Sequence, residues 1–224
     1  MNYEQMSNNK LQVMGTVLDE PKYTHEVFGE GFYETTIAVP RLSQQMDNIP
    51  ITISDRLLTQ NQIAVGEKIC VAGQFRSYNK LEDGKSRLLL TAFVRELLPV
   101  DELTNPNFIE ITGFVCKKPI YRMTPFKREI CDVLIAVNRA YNKSDYIPCI
   151  MWGRNARYIQ NMPIGEKITI CGRIQSRSYV KSVSENESVE RVAYEVSVSK
   201  ILNVDEVEKE VIVEENTTTQ AILL

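Results

Sequence analysis

The sequence predicts an all-β chain made of two similar barrels in tandem. Three observations carry that expectation: a long internal repeat, short runs of alternating apolar residues, and one short helical stretch at the same place in each copy.

The run Leu11–Val17 is echoed by Ile109–Val115, Pro21 and Tyr23 by Pro119 and Tyr121, and Phe28 by Phe126, all 98 residues on. Ile37–Arg41 matches Ile135–Arg139, and Ile49-Pro50 matches Ile147-Pro148, at the same offset. Gly66–Ile69 and Gly73 then match Gly165–Ile168 and Gly172 at 99, and Arg76-Ser77-Tyr78 reads as Arg177-Ser178-Tyr179 at 101. Offsets that change only at loops are what a duplication leaves. A period this long makes each copy a whole domain rather than a solenoid unit.

Each copy reads as five strands and a helix. In the second, strand one is Phe108–Val115, strand two Ile130–Arg139 and strand three Asp145–Trp152. A short helix follows, Arg154–Met162, with Ala156, Ile159 and Met162 on one face and Pro163 and Gly165 to end it. Strand four is Lys167–Ser178, residues 181–190 form a polar loop, and strand five is Arg191–Val204. A helix between strands three and four fits two tandem OB-folds, each a five-stranded Greek-key barrel. The expected divisions are a first domain over residues 8–99, a Pro-bounded linker over 100–107, a second domain over 108–204 and an acidic, flexible tail over 205–224.

Composition is that of a soluble globular protein. No apolar run reaches the roughly 18 residues of a membrane span, and the polar N-terminus has no secretory core, so a cytoplasmic, membrane-free protein is expected. The five cysteines include no C-x-x-C pair and read as buried thiols, with no metal site. Charge is uneven. Residues 1–104 hold 10 Lys/Arg against 14 Asp/Glu, net −4; residues 105–203 hold 15 against 9, net +6; the rest hold 1 against 6, net −5. A basic block between acidic ones can be the footprint of a polyanion site. Catalysis is hard to build: His25 is the single histidine, and neither Gly-rich phosphate-loop pattern occurs. No enzyme and no cofactor are expected.

A strand-binding face is easier to build. In strand three, Tyr146, Pro148, Ile150 and Trp152 share one side and Ile147, Cys149 and Met151 the other. Arg154 follows. Arg173, Gln175, Arg177 and Tyr179 share a side of strand four, with Lys181 beyond. Arg139, Tyr141 and Lys143 end strand two, and Arg122, Lys127 and Arg128 sit in the first loop. Rings can stack bases of any sequence while cations follow phosphates. Taken singly, each ring could equally be core and each arginine an ordinary surface residue. The first copy loses the rings: Asn48 replaces Tyr146 and Ser54 replaces Trp152 without compensating bulk at those positions, leaving Tyr78 with Arg76 and Lys80.

At these residues the second copy resembles the bacterial single-stranded DNA-binding protein family. The likeness runs from Phe108 to Val204. It rests on Ile111-Thr-Gly113, Lys118-Pro119 with Arg122 and Pro125, Leu134–Arg139, Asp145–Gly153, Gly165 and Gly172–Tyr179. The resemblance implies base stacking on Tyr141, Tyr146, Trp152 and Tyr179 and phosphate contacts from Arg122 and Arg177. It also implies single-stranded DNA as partner, a homodimer presenting four barrels, a role in replication, recombination or repair, and proteins of those processes as further partners. The tail ends Ala221-Ile-Leu-Leu224, unlike the family's usual acidic tip, which puts recruitment through it in doubt. The acidic first copy is expected to bind weakly or to serve assembly. Two other functions fit the same residues: an assembly module with the rings in an interface, and a binder of single-stranded RNA.

Overall fold

The computed structural model describes residues 8–61, 63–82, 84–101, 106–184 and 187–202. The tail expected over 205–224 lies outside them. In chain order the first half contains β1 (Asn9–Val17), β2 (Lys22–Val27), β3 (Glu30–Pro40), β4 (Met46–Ser54), α1 (Asp55–Gln60), β5 (Lys68–Glu82) and β6 (Lys85–Leu98). The second contains β7 (Asn107–Val115), β8 (Ile120–Met123), β9 (Glu129–Arg139), β10 (Lys143–Trp152), α2 (Arg154–Ile159), β11 (Lys167–Ser184) and β12 (Glu187–Leu202).

These strands form one sheet in the order β2-β3-β4-β6-β5-β1-β7-β11-β12-β10-β9-β8. The pairings β3–β1 and β7–β9 close each half into a five-stranded barrel. Within each barrel one pairing is parallel, β4–β6 and β10–β12, and each helix sits between the third and fourth barrel strands. This is the OB-fold in two copies. Period-two alternation builds both cores: Ile37, Val39, Ile49, Ile51 and Ile53 turn inward in one, and Ile135, Val137, Ile147, Cys149 and Met151 in the other. Cys70, Cys131 and Cys149 are buried free thiols, and burial pushes the Cys131 thiol up to about 11.

Strand β1 also pairs antiparallel with β7, from Asn9 opposite Ile111 to Val13 opposite Asn107, so the barrels share a continuous ladder. A second layer of contacts repeats across the junction. The Ser176 backbone N–H donates to Asp47 Oδ1 at 2.6 Å, and the Ser77 N–H donates to Asp145 Oδ1 at 2.8 Å. Asp47 and Asp145 are related by the repeat, and so are Ser77 and Ser176.

That pair of bonds corrects the expected alignment. A bulge between Ala72 and Gly73 recurs between Cys171 and Gly172, and from there the copies stay at an offset of 99. Tyr78 therefore corresponds to Arg177 and Lys80 to Tyr179; the Arg-Ser-Tyr echo is a coincidence shifted by two residues. Three further expectations change. Strands β2 and β8 are additional short strands, paired on the outside of β3 and β9. The helix after β10 ends at Ile159 rather than Met162. Most of the polar loop expected over 181–190 is a long β11–β12 hairpin, because backbone pairing continues to Ser184 opposite Glu187.

Candidate nucleic-acid interface

On β10, Asp145, Ile147, Cys149 and Met151 are buried, while Tyr146 and Trp152 stand on the outer face, 43% and 37% exposed. The Trp152 indole N–H donates to Ser197 Oγ at 3.2 Å, which fixes the ring on the face. Ladder pairing sets β10 beside β12 at Ile150 opposite Ser197, and β12 beside β11 at Ala193 opposite Arg177. The outward residues of β9, β10, β12 and β11 thus make one surface. On β11, Tyr179 is exposed, and the Arg177 guanidinium carbon lies 6.0 Å from its ring centroid. Such contacts hold ring and cation together on a wet surface.

Tyr141 is 82% exposed and has φ 61, in the turn between β9 and β10. Lys143 opens β10 and Arg154 opens α2, both exposed. Lys127 and Arg128 are exposed in the β8–β9 turn, where the Arg128 backbone N–H donates to Thr124 Oγ1. Arg122 is paired with Asp132 at 2.6 Å on the surface. Arg177 lies 3.9 Å from Glu195, an acid that also accepts from Gln175 Nε2 at 2.7 Å. Arg173 is turned to the other barrel, 3.4 Å from Asp47, and Arg139 lies 3.5 Å from Asp145. The structure therefore places Tyr146 and Trp152 on β10, and Arg177 beside Tyr179 on β11, on the outer surface of the second barrel. Tyr141, Lys143, Arg154, Lys127 and Arg128 lie on turns and a helix start around the second barrel. Arg173 and Arg139 are at the junction. The Lys181 side chain lies outside the described ones.

In the first barrel Tyr78 donates its hydroxyl to Glu34 at 2.9 Å, and the Arg76 guanidinium carbon sits 3.7 Å above the Phe93 ring centroid. Phe93 is a residue the sequence reading missed. It occupies the position of Ser197, opposite Thr52 on β4, while Phe32 occupies that of Ile130, opposite Ser54. Their rings meet 5.6 Å apart, and His25 stacks on Phe32 at 5.1 Å. The bulk lost at Ser54 is therefore supplied from neighbouring strands, and its loss is not evidence that Trp152 lacks a packing role. The signal was in the repeat: where the second copy has Ile130 and Ser197, the first has two phenylalanines.

Comparisons with known proteins place this geometry. A family model described as the single-strand binding protein family matches residues 106–204, the second barrel. The single-stranded DNA-binding protein of Clostridium tetani is 35% identical over 98 residues, covering 40% of this chain and 68% of that protein. The chain belongs to this family. Single-stranded DNA-binding protein B of Bacillus subtilis is 30% identical over 96 residues, covering 38% of this chain and 82% of that protein. The wild-type single-stranded DNA-binding protein of Thermus aquaticus has a similar structure, with TM-score 0.64 and 16% identity over 87% of this chain and 92% of that one. At that identity the likeness concerns the fold, and it extends over both barrels. Among the described residues no group of three or more His, Cys, Asp or Glu could hold a metal ion, and no helix is long and apolar enough to cross a membrane.

Proposed function

We propose that this chain binds single-stranded DNA without sequence preference in replication, recombination or repair, mainly through the outer face of the second barrel. The observation that carries it is the exposed rings of Tyr146 and Trp152 on β10 and of Tyr179, with Arg177, on β11, two strands joined through β12. Each base stacked on such a ring adds about 1–3 kcal/mol whatever its identity. Tyr141, Lys143, Arg154, Lys127 and Arg128 extend the surface with a ring and cations for the backbone, and Arg122 joins them once it exchanges Asp132 for phosphate. Membership of a family of non-catalytic DNA-binding proteins supports the same reading. The chain acts in the bacterial cytosol, divided as the repeat suggests into residues 8–99 and 108–204, and two copies pair to present four barrels.

Titrating the protein with oligo(dT) and following Trp152 fluorescence at several salt concentrations tests this. Quenching that weakens steeply with salt is expected. Absent quenching, or affinity insensitive to salt, would reject it. Trp152 shielded from an aqueous quencher in the DNA-free protein points to an assembly interface instead, and tighter binding of a matched oligo(rU) points to RNA. Light scattering at the expected dimer mass checks the pairing of copies.

A further inference from the structure

The first barrel carries a cleft of about 560 Å³, at whose His25, Arg76 and Phe93 the second copy has Met123, Gln175 and Ser197. Its lining comes from β2, β3, β4, β5 and β6 of its own barrel and, from the other, Arg139 at the end of β9. His25 and Phe93 line it, with buried Phe32 between them, stacked on His25 and tilted against Phe93; Arg76 lies over Phe93, and the Arg95 guanidinium carbon is 5.2 Å from the same ring. Lys80 lines it as well. The acids are fewer: Glu34, which accepts from Tyr78, and Asp145 behind Arg139.

The two halves differ here in a way that the repeat exposes. Arg41, the counterpart of Arg139, is locked: its Nε donates to Asp47 Oδ2 at 2.7 Å and its Nη2 to the Ser176 carbonyl at 2.9 Å. Arg139 has the looser contact with Asp145, whose buried Oδ2 has no hydrogen-bond partner among the described residues. The counterpart of Arg76 is Gln175, neutral and satisfied by Glu195. Arg76 instead has a buried Nε without a hydrogen-bond partner among the described residues. Burial, with Arg95 and Arg139 nearby, brings its pKa down to about 10. Cations gathered against their own repulsion, beside open aromatic edges, suit an anion joined to a flat ring.

We propose that this cleft is a second nucleotide site, in which Arg76, Arg139 and Lys80 take a backbone phosphate of single-stranded DNA and the His25 and Phe93 rings, backed by Phe32, take its base. The inference rests on the function proposed above. The path is continuous: Ser77, on the cleft wall, accepts the Tyr146 backbone N–H at 2.7 Å, so the cleft begins where the ring face of the second barrel ends. One strand passes from Tyr146 past Arg139 into the first barrel. The half that lost its inherited rings binds through different ones.

The test uses the full chain and oligo(dT) of two lengths, one fold's worth at about 8 nucleotides and a two-fold span at about 20. Arg76→Gln is expected to weaken the longer oligomer about tenfold and the shorter one less than threefold, with Arg76→Lys recovering most of the loss. Equal affinity of Arg76→Gln and the natural protein at both lengths would overturn the inference while leaving the main site standing. If the natural protein binds neither oligomer, the parent reading fails instead. A direct measurement needs no variant: the longer oligomer, carrying 5-iododeoxyuridine, is irradiated in complex and the adducts mapped by mass spectrometry. Adducts on His25 or Phe93 are expected; adducts confined to residues of the second barrel overturn the site. Adducts on His25 that free thymidine monophosphate suppresses as well as excess strand does would also overturn it, since the site would then serve free nucleotides.

Discussion

Trp152 is held by one hydrogen bond and its edge position rather than by enclosure, so its ring can serve a base without the fold depending on it. Trp152→Ala is expected to weaken oligo(dT) binding by about 1–3 kcal/mol, with Trp152→Phe keeping most of it, since stacking needs a ring and not the N–H. Anisotropy of a labelled oligomer reads both. The two related aspartates make a second pair of cases. Asp47 is fully buried and forked by Arg41, with Arg173 nearby. Asp47→Asn leaves Arg41 without its counter-charge and is expected to cost about 3–5 kcal/mol in urea unfolding. Asp145 is equally enclosed but less well paired. Burial raises its pKa above the ordinary aspartate value, against the lowering pull of the Ser77 N–H, Arg139 and Arg76. A raised carboxylate pKa means that the fold favours the protonated form. Its contribution is present at low pH and is lost as pH rises through the folded value. Asp145→Asn should therefore cost far less than Asp47→Asn at neutral pH and flatten the stability profile across the acidic range. Equal losses from the two substitutions would contradict this account.

At the scale of the element, the bulge where β12 passes Gly172 of β11 sets which β12 residues stand beside Arg177 and Tyr179; its extra residue is Ser199. Gly172 sits where a Cβ would overlap the Ser197 carbonyl oxygen, and the extra β12 residue shifts the β11–β12 pairing by one from there to the hairpin end. Gly172→Ala is expected to cost about 2–4 kcal/mol in urea unfolding and to weaken DNA binding through Arg177 and Tyr179; unchanged stability would show that the ladder re-registers freely. This bulge also marks the limit of what the sequence made legible. The barrels, the helix position and the inward face of β10 followed from period-two alternation and from the repeat. The β5 and β11 register did not, because a match of Arg-Ser-Tyr to Arg-Ser-Tyr outweighed the pairing that only backbone geometry defines. Phe93 was missed for the same kind of reason. Its significance depends on a parallel partner, Thr52, forty-one positions earlier in the chain. The hairpin strands over 181–184 and 187–190 looked like loop because Ser and Glu dominate them, yet a two-stranded arm needs backbone bonds more than apolar side chains.

Across the whole molecule, a net charge of −3 must be reconciled with a polyanionic ligand. The reconciliation is spatial: the second repeat carries the cations, and at physiological salt a charge is felt over only about 8 Å. The strand then responds to the faces it touches, the second barrel and the cation-lined cleft of the first, and not to the acids elsewhere on the first half. Each phosphate neutralised contributes about −0.7 to the slope of log affinity against log salt for a single strand. Lys143→Gln with Arg177→Gln should reduce that slope by about 1.4. Arg173→Gln, which breaks a contact to Asp47, should lower stability and leave the slope alone. Dilution of the salt tests the spatial argument itself. Near 0.01 M the screening length grows to about 30 Å, comparable to the molecule, and repulsion from the acidic repeat reaches the strand. The plot of log affinity against log salt is therefore expected to bend, with affinity rising less steeply at the dilute end than counterion release alone requires. Replacing Glu20 and Glu67, exposed acids of the first repeat that line neither proposed site, with Gln should straighten it. A plot already straight in the natural protein would mean that the first repeat presents its acids elsewhere than toward the bound strand.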